Sequence, residues 1–199
     1  MKNILGEDFF DRPTLLVARD LLGKFLVRKI SGKEIALMIT ETEAYDGFKD
    51  LASHARRGKT PRNLPMYGKA GRIYVYFTYG MHWMLNLTCG KEEYPAAVLI
   101  RGAGLKPGDT RFARSISLKE IDLGEIVGPA RLTKALVIDK SLNTKILSKK
   151  SGLWVEDRGI HISSKEIERT GRIGVDYSGE WAKKPWRFVL KRDKKTVVY

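Results

Sequence analysis

The sequence predicts an α+β protein built on a mainly antiparallel sheet. Three observations support this fold class: many short strand-like segments, few helix-like segments, and strand connections of only a few residues. Connections this short cannot form parallel crossovers, so most neighbouring strands should be antiparallel. The chain has 199 residues, a length typical of one domain, and we therefore expect a single domain over 1–199.

The first part of the chain predicts a helix, a β-hairpin and a long loop. The helix covers 13–22, because it begins with proline, continues as an apolar run and ends at Gly23. The hairpin pairs 24–30 with 34–45 around a Ser-Gly-Lys turn. Residues 46–71 form the loop, since six glycines and prolines interrupt them. So long a loop inside a domain is usually functional.

The rest of the chain predicts a second hairpin, a buried strand and one more helix. The second hairpin pairs 72–79 with 81–89 around Gly80. The apolar segment 96–102 predicts a strand, and Gly-Pro opens a helix over 129–138. Further short strands are expected at 152–157, 172–175 and 186–190.

Positive charge indicates a polyanionic partner. The formal net charge is +14, and half of it comes from 51–91, which has seven bases and no acid. Aromatic residues are interleaved with these lysines and arginines. This mixture suits nucleic acid, because basic side chains neutralise phosphates and aromatic rings stack on nucleobases. The alternative is a basic surface that only keeps the protein soluble. A second basic cluster closes the chain: Lys183, Lys184, Arg187, Lys191, Arg192, Lys194 and Lys195.

Composition excludes several classes of protein. No apolar run is long enough for a membrane-spanning helix, and the first residues lack a signal peptide, so we expect a cytoplasmic protein. The single cysteine, Cys89, excludes an internal disulfide and a cysteine-based zinc site. The three histidines lack metal-site spacing, and no nucleotide-binding glycine motif occurs, so neither a metal nor another cofactor is expected.

Two acids lie at the end of a strand that begins apolar. Glu41 and Glu43 need donors or a cation if their face is buried, and Arg101 ends another apolar strand where it could supply one. This pattern fits a structural ion pair and a general base equally well. Strict alternation places five side chains on one face: Leu37, Ile39, Glu41, Glu43 and Tyr45.

Tyrosines of the second hairpin suggest a pocket and an exposed tip. Tyr74 and Tyr76 share a face, so Tyr76 can line a pocket inside the protein. Tyr79 lies beside Gly80 at the turn, where an aromatic side chain projects outward. A partner explains such an exposed aromatic better than the fold does.

Six segments, in this order, resemble one known family. They are ETEAY (41–45), HARRGKTPRN (54–63), GRIYVYFTYGMHWMLN (71–86), AAVLIRG (96–102), GPARLTKAL (128–136) and RIGVDYSGEWAKKPWRF (172–188). Together they closely resemble the alkyladenine (3-methyladenine) DNA glycosylase family, from about Leu15 to Phe188. The resemblance implies one DNA glycosylase domain over 1–199: a curved antiparallel sheet, flanking helices, and a protruding β-hairpin that inserts into DNA.

The resemblance also implies the catalytic residues. Glu43 matches the general base that activates a water molecule. Arg101 matches an arginine near that water, and Ile173 matches the residue whose backbone carbonyl holds it. The family releases the base and leaves an abasic site without cutting the strand, and no lysine nucleophile is indicated here.

Further residues match the pocket and the DNA wedge. Tyr45 and Tyr76 correspond to the aromatic walls around the flipped base, and His54 corresponds to the histidine at the base edge. Asn86 matches the side chain that disfavours guanine. Tyr79 matches the residue that intercalates and fills the gap left by the flipped nucleotide.

The expected partner is therefore duplex DNA with a damaged purine. The lesions implied are 3-methyladenine, 7-methylguanine, hypoxanthine and ethenoadenine, and the resemblance suggests a monomer that is associated with the nucleoid if the source is prokaryotic. Two other classes remain open: a non-catalytic nucleic-acid-binding module, and a metal-dependent nuclease that uses Glu41 and Glu43. Candidate contacts to the DNA backbone are Arg56, Arg57, Lys59, Arg62, Lys69, Lys183 and Lys184.

Overall fold

A computed structural model describes residues 3–105 and 125–191 of the chain. The strands are β1 (Asn3–Ile4), β2 (Phe25–Ile30), β3 (Lys33–Asp46), β4 (Ile73–Thr78), β5 (His82–Thr88), β6 (Ala96–Gly104), β7 (Glu125–Val127), β8 (Leu153–Asp157), β9 (Ile167–Thr170) and β10 (Arg187–Leu190). The α-helices are α1 (Glu7–Phe10), α2 (Thr14–Asp20), α3 (Pro129–Ala135) and α4 (Glu180–Lys183). Short 3-10 helices cover His54–Arg57, Leu64–Tyr67, Lys140–Leu142, Ser164–Glu166 and Asp176–Ser178.

The strands of the described residues form one open, curved sheet in the order β1-β8-β2-β3-β6-β5-β4. β10 pairs with β3 and β9, and β7 pairs with β6; all these pairings are antiparallel. The long strand β3 therefore contacts β2 along its first half, β10 along its second half, and β6 along the opposite edge. The predicted α+β class with a mainly antiparallel sheet is confirmed.

Helices α2 and α3 cover one face of the sheet and close the main core. Val17 and Ala18 of α2 and Leu132 and Ala135 of α3 are fully buried against strands β3, β5 and β6. Burial of an aliphatic side chain of valine or leucine size contributes about 1.5–3 kcal/mol. The main core contains far more buried residues than the two smaller apolar clusters, so it supplies most of the apolar stabilisation. The other face is left for a pocket.

An irregularity in the β3–β6 pairing reverses which side chains of β3 face the main core. The register shifts between Ile39 and Glu41 and again before Thr42, so Thr40 has no direct partner on β6. Ile39 belongs to the main core, but so does Ala44, and the Thr42 hydroxyl donates to the Ala18 carbonyl of α2 at 2.8 Å. The prediction that Leu37 to Tyr45 present one continuous face is therefore wrong. Glu41, Glu43 and Tyr45 face away from the main core.

Most predicted elements are present. The helix over 13–22, both hairpins, the strand over 96–102, and the helix that begins at Gly128-Pro129 appear as α2, β2–β3, β4–β5, β6 and α3. The strand predicted at 172–175 is wrong, since these residues form a bend in a loop. Strands β1, β7 and β9 and helices α1 and α4 are additions. The assignment of 1–199 to one domain stays a prediction, and Arg192, Lys194 and Lys195 lie outside the described residues.

None of the helices in 3–105 and 125–191 has the length and apolar composition of a membrane span. The same residues contain no group of three or more histidine, cysteine, aspartate or glutamate side chains placed to hold a metal ion. Cys89 is 1% exposed, and burial raises the pKa of its thiol to about 12. This thiol is therefore protonated at neutral pH and packs as an apolar side chain.

Candidate active site

A cavity of about 360 Å³ lies on the face of the sheet opposite the main core. Four parts of the chain surround it: the loop 46–71, strands β3 to β6, Pro129 at the start of α3, and residues 173–177. Its volume falls in the range of small-molecule sites, and its walls are largely aromatic and aliphatic. Seven of the residues predicted for the site line it: Tyr45, His54, Tyr76, Tyr79, Asn86, Arg101 and Ile173.

Glu43 lies directly behind this lining and is fully buried. Its Oε1 accepts the backbone N–H of Ile173 at 2.8 Å, and its Oε2 accepts the Tyr45 hydroxyl at 2.9 Å. Burial raises the pKa of the Glu43 carboxyl above its ordinary value, while the positive charge of Arg101 and the Ile173 N–H oppose that rise. A carboxylate of this kind is suited to accept a proton near neutral pH.

Arg101 contacts both acids of the strand. Its Nε donates to Glu41 Oε1 at 2.9 Å, and its Nη1 donates to Glu43 Oε2 at 3.4 Å. The ion pair predicted between Arg101 and Glu41 or Glu43 is therefore present with both partners. Ile173 reaches the same carboxylate by its amide nitrogen, whereas the resemblance assigned a role to its carbonyl oxygen.

Aromatic rings form the walls of the pocket. The rings of His54 and Tyr76 meet edge to face with centroids 4.5 Å apart. His54 Nδ1 shares a hydrogen bond of 2.9 Å with the Tyr74 hydroxyl, which fixes the plane of the imidazole. Tyr45 has the guanidinium of Arg172 against its ring, 4.8 Å from the centroid. The walls are thus held by their own partners before any ligand binds.

Asn86 is 3% exposed and lies on β5 opposite Tyr74 of β4. Its side-chain amide donates to the backbone carbonyls of Tyr74 at 3.2 Å and Met84 at 3.4 Å. These bonds hold the side chain in one orientation against the cavity. A fixed polar group inside an apolar pocket is typical of selection by exclusion.

Tyr79 stands at the tip of the β4–β5 hairpin and is 77% exposed. Its φ is +53° and that of Gly80 is +67°, so both lie in the left-handed region. Gly80 adopts this conformation freely, but tyrosine does so at a cost of about 1–3 kcal/mol. A strained, exposed aromatic residue contributes little to folding, and such residues concentrate at functional sites.

The sequence of this protein is similar to proteins of one known family. The sequence model of the methylpurine-DNA glycosylase (MPG) family matches residues 8–194. The chain belongs to the methylpurine-DNA glycosylase family. A relative from Methanocella arvoryzae is 47% identical over 189 residues, 94% of this chain and 92% of the relative. The DNA-3-methyladenine glycosylases of Mus musculus and Homo sapiens are 38% and 36% identical over 94% of this chain, covering 59% and 65% of their own lengths.

Membership of the methylpurine-DNA glycosylase family confirms the predicted enzyme class, a DNA glycosylase that hydrolyses N-glycosyl bonds. Membership of this family also confirms the predicted association with DNA repair.

The basic residues predicted to contact the DNA backbone are placed in different environments around the glycosylase. Arg57 and Lys69 are exposed. Arg56 lies over the Tyr177 ring at 4.4 Å, and Arg62 donates to the Phe77 carbonyl at 3.1 Å beside the hairpin. Lys59 forms an ion pair with Glu93 at 3.1 Å, and Lys183 forms one with Glu180 at 2.7 Å. Lys184 packs on the Trp181 ring.

Three residues of the glycosylase site were not predicted. Asp50 and Arg172 form a fully buried ion pair with distances of 2.6 and 2.8 Å, and Arg172 also donates to the Ala44 carbonyl at 2.8 Å. Arg187, grouped by the sequence with the basic C-terminal cluster, instead donates to Glu41 Oε1 at 2.6 Å. The sequence carries one signal: Arg172 directly precedes Ile173 in a segment that matches the family.

His54 provides a test of the pocket's electrostatics. Burial, with the charges of Arg62 and Arg56, lowers the pKa of His54 to about 4, so the imidazole is neutral at neutral pH. The unfolded chain, with an ordinary pKa of about 6.5, binds this proton first as the pH falls. Protonation of His54 therefore stabilises the unfolded chain relative to the folded protein. As a result, the free energy of unfolding falls progressively as the pH drops from about 6.5 to 4.

We expect the His54→Gln variant to lose less stability than the wild type over this window, as measured by urea unfolding at about pH 7, 5.5 and 4.5. His161→Gln, at an exposed histidine, is the matched control and should follow the wild type. Parallel curves for wild type and His54→Gln would show that His54 is not held neutral by the fold.

Proposed function

We propose that this protein removes alkylated and deaminated purines from duplex DNA, acting as a monomer in the cytoplasm. The lesions proposed are 3-methyladenine, 7-methylguanine, hypoxanthine and ethenoadenine. One observation carries the proposal: a fully buried carboxylate, Glu43, behind an aromatic cavity of about 360 Å³, with Arg101 and the Ile173 amide on its two oxygens. An ionised carboxylate that can accept a proton, beside a cavity the size of a purine, is the arrangement that hydrolysis of an N-glycosidic bond requires.

Binding begins at the phosphates and the hairpin tip. Exposed lysines and arginines of the loop 46–71 neutralise backbone phosphates. Tyr79 enters the stack of nucleobases from the minor groove. The damaged nucleotide then rotates out of the duplex, which costs about a few kcal/mol and less for a weakly paired lesion. Tyr79 occupies the gap and delays the return of the base.

The flipped base is enclosed by Tyr45, His54 and Tyr76. Alkylation at N3 or N7 makes a purine cationic, and aromatic faces attract such a cation. A neutral His54 avoids repelling it, in keeping with the lowered pKa of its imidazole. Asn86 narrows the pocket and disfavours unmodified guanine, whose exocyclic amino group needs additional space and a hydrogen-bond acceptor. 7-Methylguanine carries the same amino group, but its cationic ring makes it a better leaving group.

The chemical step is a displacement at C1′ of the deoxyribose. The oxygen of a water held near Arg101 and Ile173 forms a bond to C1′, and the proton of this water passes to Glu43. The bond from C1′ to the purine nitrogen breaks, and its electron pair leaves with the base. Oxocarbenium-like charge develops on the sugar, and the nearby carboxylate stabilises it as in glycoside hydrolysis.

The strands remain uncut in this reaction, which separates the proposal from a nuclease and from a binding module. Glu41 is paired with Arg101 and Arg187, and Glu43 is paired with Arg101, so a nuclease metal would have to compete with two guanidinium groups. The test is a gel of end-labelled methylated duplex with and without EDTA. We expect breaks only after alkali treatment, at equal yield in EDTA. Direct EDTA-sensitive breaks would indicate a nuclease, and binding without alkali-labile sites would indicate a binding module.

Replacing Tyr79 by alanine should weaken binding to lesion-containing duplex by about tenfold, because stacking of one aromatic ring on a base is worth about 1–3 kcal/mol. Excision of a well-paired lesion such as hypoxanthine should slow more than excision of 3-methyladenine, since the wedge opposes re-pairing. Fluorescence anisotropy and single-turnover rates measure these two effects. Tyr79→Phe, which keeps the ring, should behave as the wild type; an equal loss in both variants would contradict the wedge.

A further inference from the structure

Four charged side chains form a cluster at the back of the pocket, where only Arg101 lines the cavity. They are Glu41, Glu43, Arg101 and Arg187. Glu41 Oε1 accepts from two guanidinium groups, Arg101 Nε at 2.9 Å and Arg187 Nε at 2.6 Å. The two acids and Arg101 have side chains at most 10% exposed, and Arg187 is 21% exposed. Two positive and two negative charges therefore balance in a place with little water.

Arg187 belongs to this cluster through the sheet. It lies on β10 directly opposite Glu43 of β3 in the antiparallel register, and Val189 lies opposite Glu41. Its Nη1 donates to the Thr170 hydroxyl of β9 at 3.0 Å, which holds the guanidinium in place. Arg187 does not line the cavity, so it can act on a bound base only through other residues.

The distances show how the charges are divided. Arg101 is close to Glu41, at 2.9 Å, and farther from Glu43, at 3.4 Å. Without Arg187, Glu41 would have Arg101 as its remaining guanidinium partner among these four residues. Two carboxylates that share one guanidinium repel each other, and one of them then retains a proton more readily.

We propose that Arg187 is a positioning residue of the glycosylase: it neutralises Glu41, so that the charge of Arg101 remains available to keep Glu43 ionised. The inference rests on the proposed role of Glu43 as the proton acceptor. It assigns a catalytic consequence to a strand, β10, that contributes no side chain to the cavity wall.

Charged and titratable groups from several elements surround Glu43 and influence whether its carboxyl is ionised. From β3 these are Glu41 and the Tyr45 hydroxyl, and from β6 it is Arg101. From β4, Tyr76 is a neighbour of Tyr45, and from the loop before α4 the Ile173 amide contacts the carboxylate directly. Arg172, packed on Tyr45 and paired with Asp50, completes the set. Among these groups, only Glu41 and Arg101 share the cluster with Arg187.

The experiment compares the wild type with Arg187→Gln over about pH 5 to 9. One readout is the single-turnover rate of 3-methyladenine release from duplex methylated with dimethyl sulfate. The other is the carbon-13 NMR titration of the Glu43 carboxyl, assigned by its loss in Glu43→Gln. We expect the acidic midpoint to move up by about one pH unit in both readouts, with a nearly unchanged rate at the alkaline plateau.

Matched variants separate this role from a structural one. Arg187→Lys should restore much of the wild-type midpoint, and the Glu41→Gln/Arg187→Gln double variant should return it, because removal of both charges restores the balance. Arg169→Gln, on the neighbouring strand β9 and bonded to the Pro185 carbonyl, should leave the profile unchanged. Urea unfolding confirms that each variant is folded.

An unchanged NMR midpoint in Arg187→Gln would overturn the inference, whatever the activity. A uniform fall in rate at every pH would also overturn it, because that result indicates distortion of the site. If the NMR midpoint moves while the wild type releases no base, the link between Arg187 and Glu43 stands and the proposed function fails. The two failures are thereby distinguishable.

Discussion

Replacing Glu43 by glutamine should reduce the single-turnover rate of 3-methyladenine release by about 10²–10⁴-fold, the usual contribution of a positioned general base. Glutamine keeps the size of the side chain and an oxygen that can accept the Ile173 N–H, but it cannot take a proton from water. The residue is fully buried behind the pocket, so it makes no contact with the phosphates. Affinity for lesion-containing duplex should stay within about twofold of the wild type.

The rate is measured on methylated duplex with enzyme in excess, and affinity by fluorescence anisotropy. Glu34→Gln is the matched control, because Glu34 lies on the same strand and is exposed. Near-wild-type excision by Glu43→Gln would assign the proton acceptor to another group. A parallel loss of DNA affinity would show that the substitution damages the fold of the site.

Replacing Asp50 by asparagine should lower the free energy of unfolding by about 3–5 kcal/mol, because it leaves the guanidinium of Arg172 buried without its counter-charge. Both side chains are fully buried, and Asp50 also accepts the backbone N–H of Ala52 at 3.0 Å and of Asp46 at 3.2 Å. Arg172 directly precedes Ile173, whose amide contacts Glu43. Loss of the pair should therefore loosen the loop that completes the site.

Urea unfolding at neutral pH measures this loss. Glu180→Gln is the control, because it removes the acid of an exposed pair with Lys183, which contributes little. A change in Asp50→Asn no larger than in Glu180→Gln would mean that water or another group compensates Arg172. In that case the Asp50–Arg172 pair would not be what holds the loop in place.

Local patterns were sufficient to predict most of the fold. Alternating apolar residues and short turns predicted both hairpins, and a Gly-Pro step predicted the start of α3. Arg101 could be placed near Glu41 and Glu43 because, in the sequence, all three follow apolar strand-like segments. The resemblance to a family then chose which acid to assign as the base, since alternation and charge treat Glu41 and Glu43 alike.

The face of β3 could not be predicted from alternation. The irregular pairing at Thr40 reverses the phase of the strand, so Ile39 enters the main core and Glu41 faces the other side. A bulge depends on the partner strand, here β6, and leaves little trace in the sequence of one strand. The alternation of side chains along β3 therefore gave the wrong face from Glu41 onward, where the site begins.

Two other long-range ion pairs were beyond the sequence. Asp50 and Arg172 are 122 residues apart, and Glu41 and Arg187 are 146 residues apart. A single arginine in a basic chain predicts a surface residue, because arginine is rarely buried without a partner. Only the topology, with β10 against β3, places Arg187 beside an acid.

The most direct test of the account is mass spectrometry of the bases released from duplexes that carry 3-methyladenine, 7-methylguanine, hypoxanthine or ethenoadenine. Wild-type protein and Glu43→Gln are compared at equal DNA occupancy. We expect the wild type to release free 3-methyladenine while the strands stay intact, and Glu43→Gln to release almost none. Equal release by both proteins, or no modified base released by a wild type that binds these duplexes, would contradict the assignment of Glu43 as the base of a purine glycosylase.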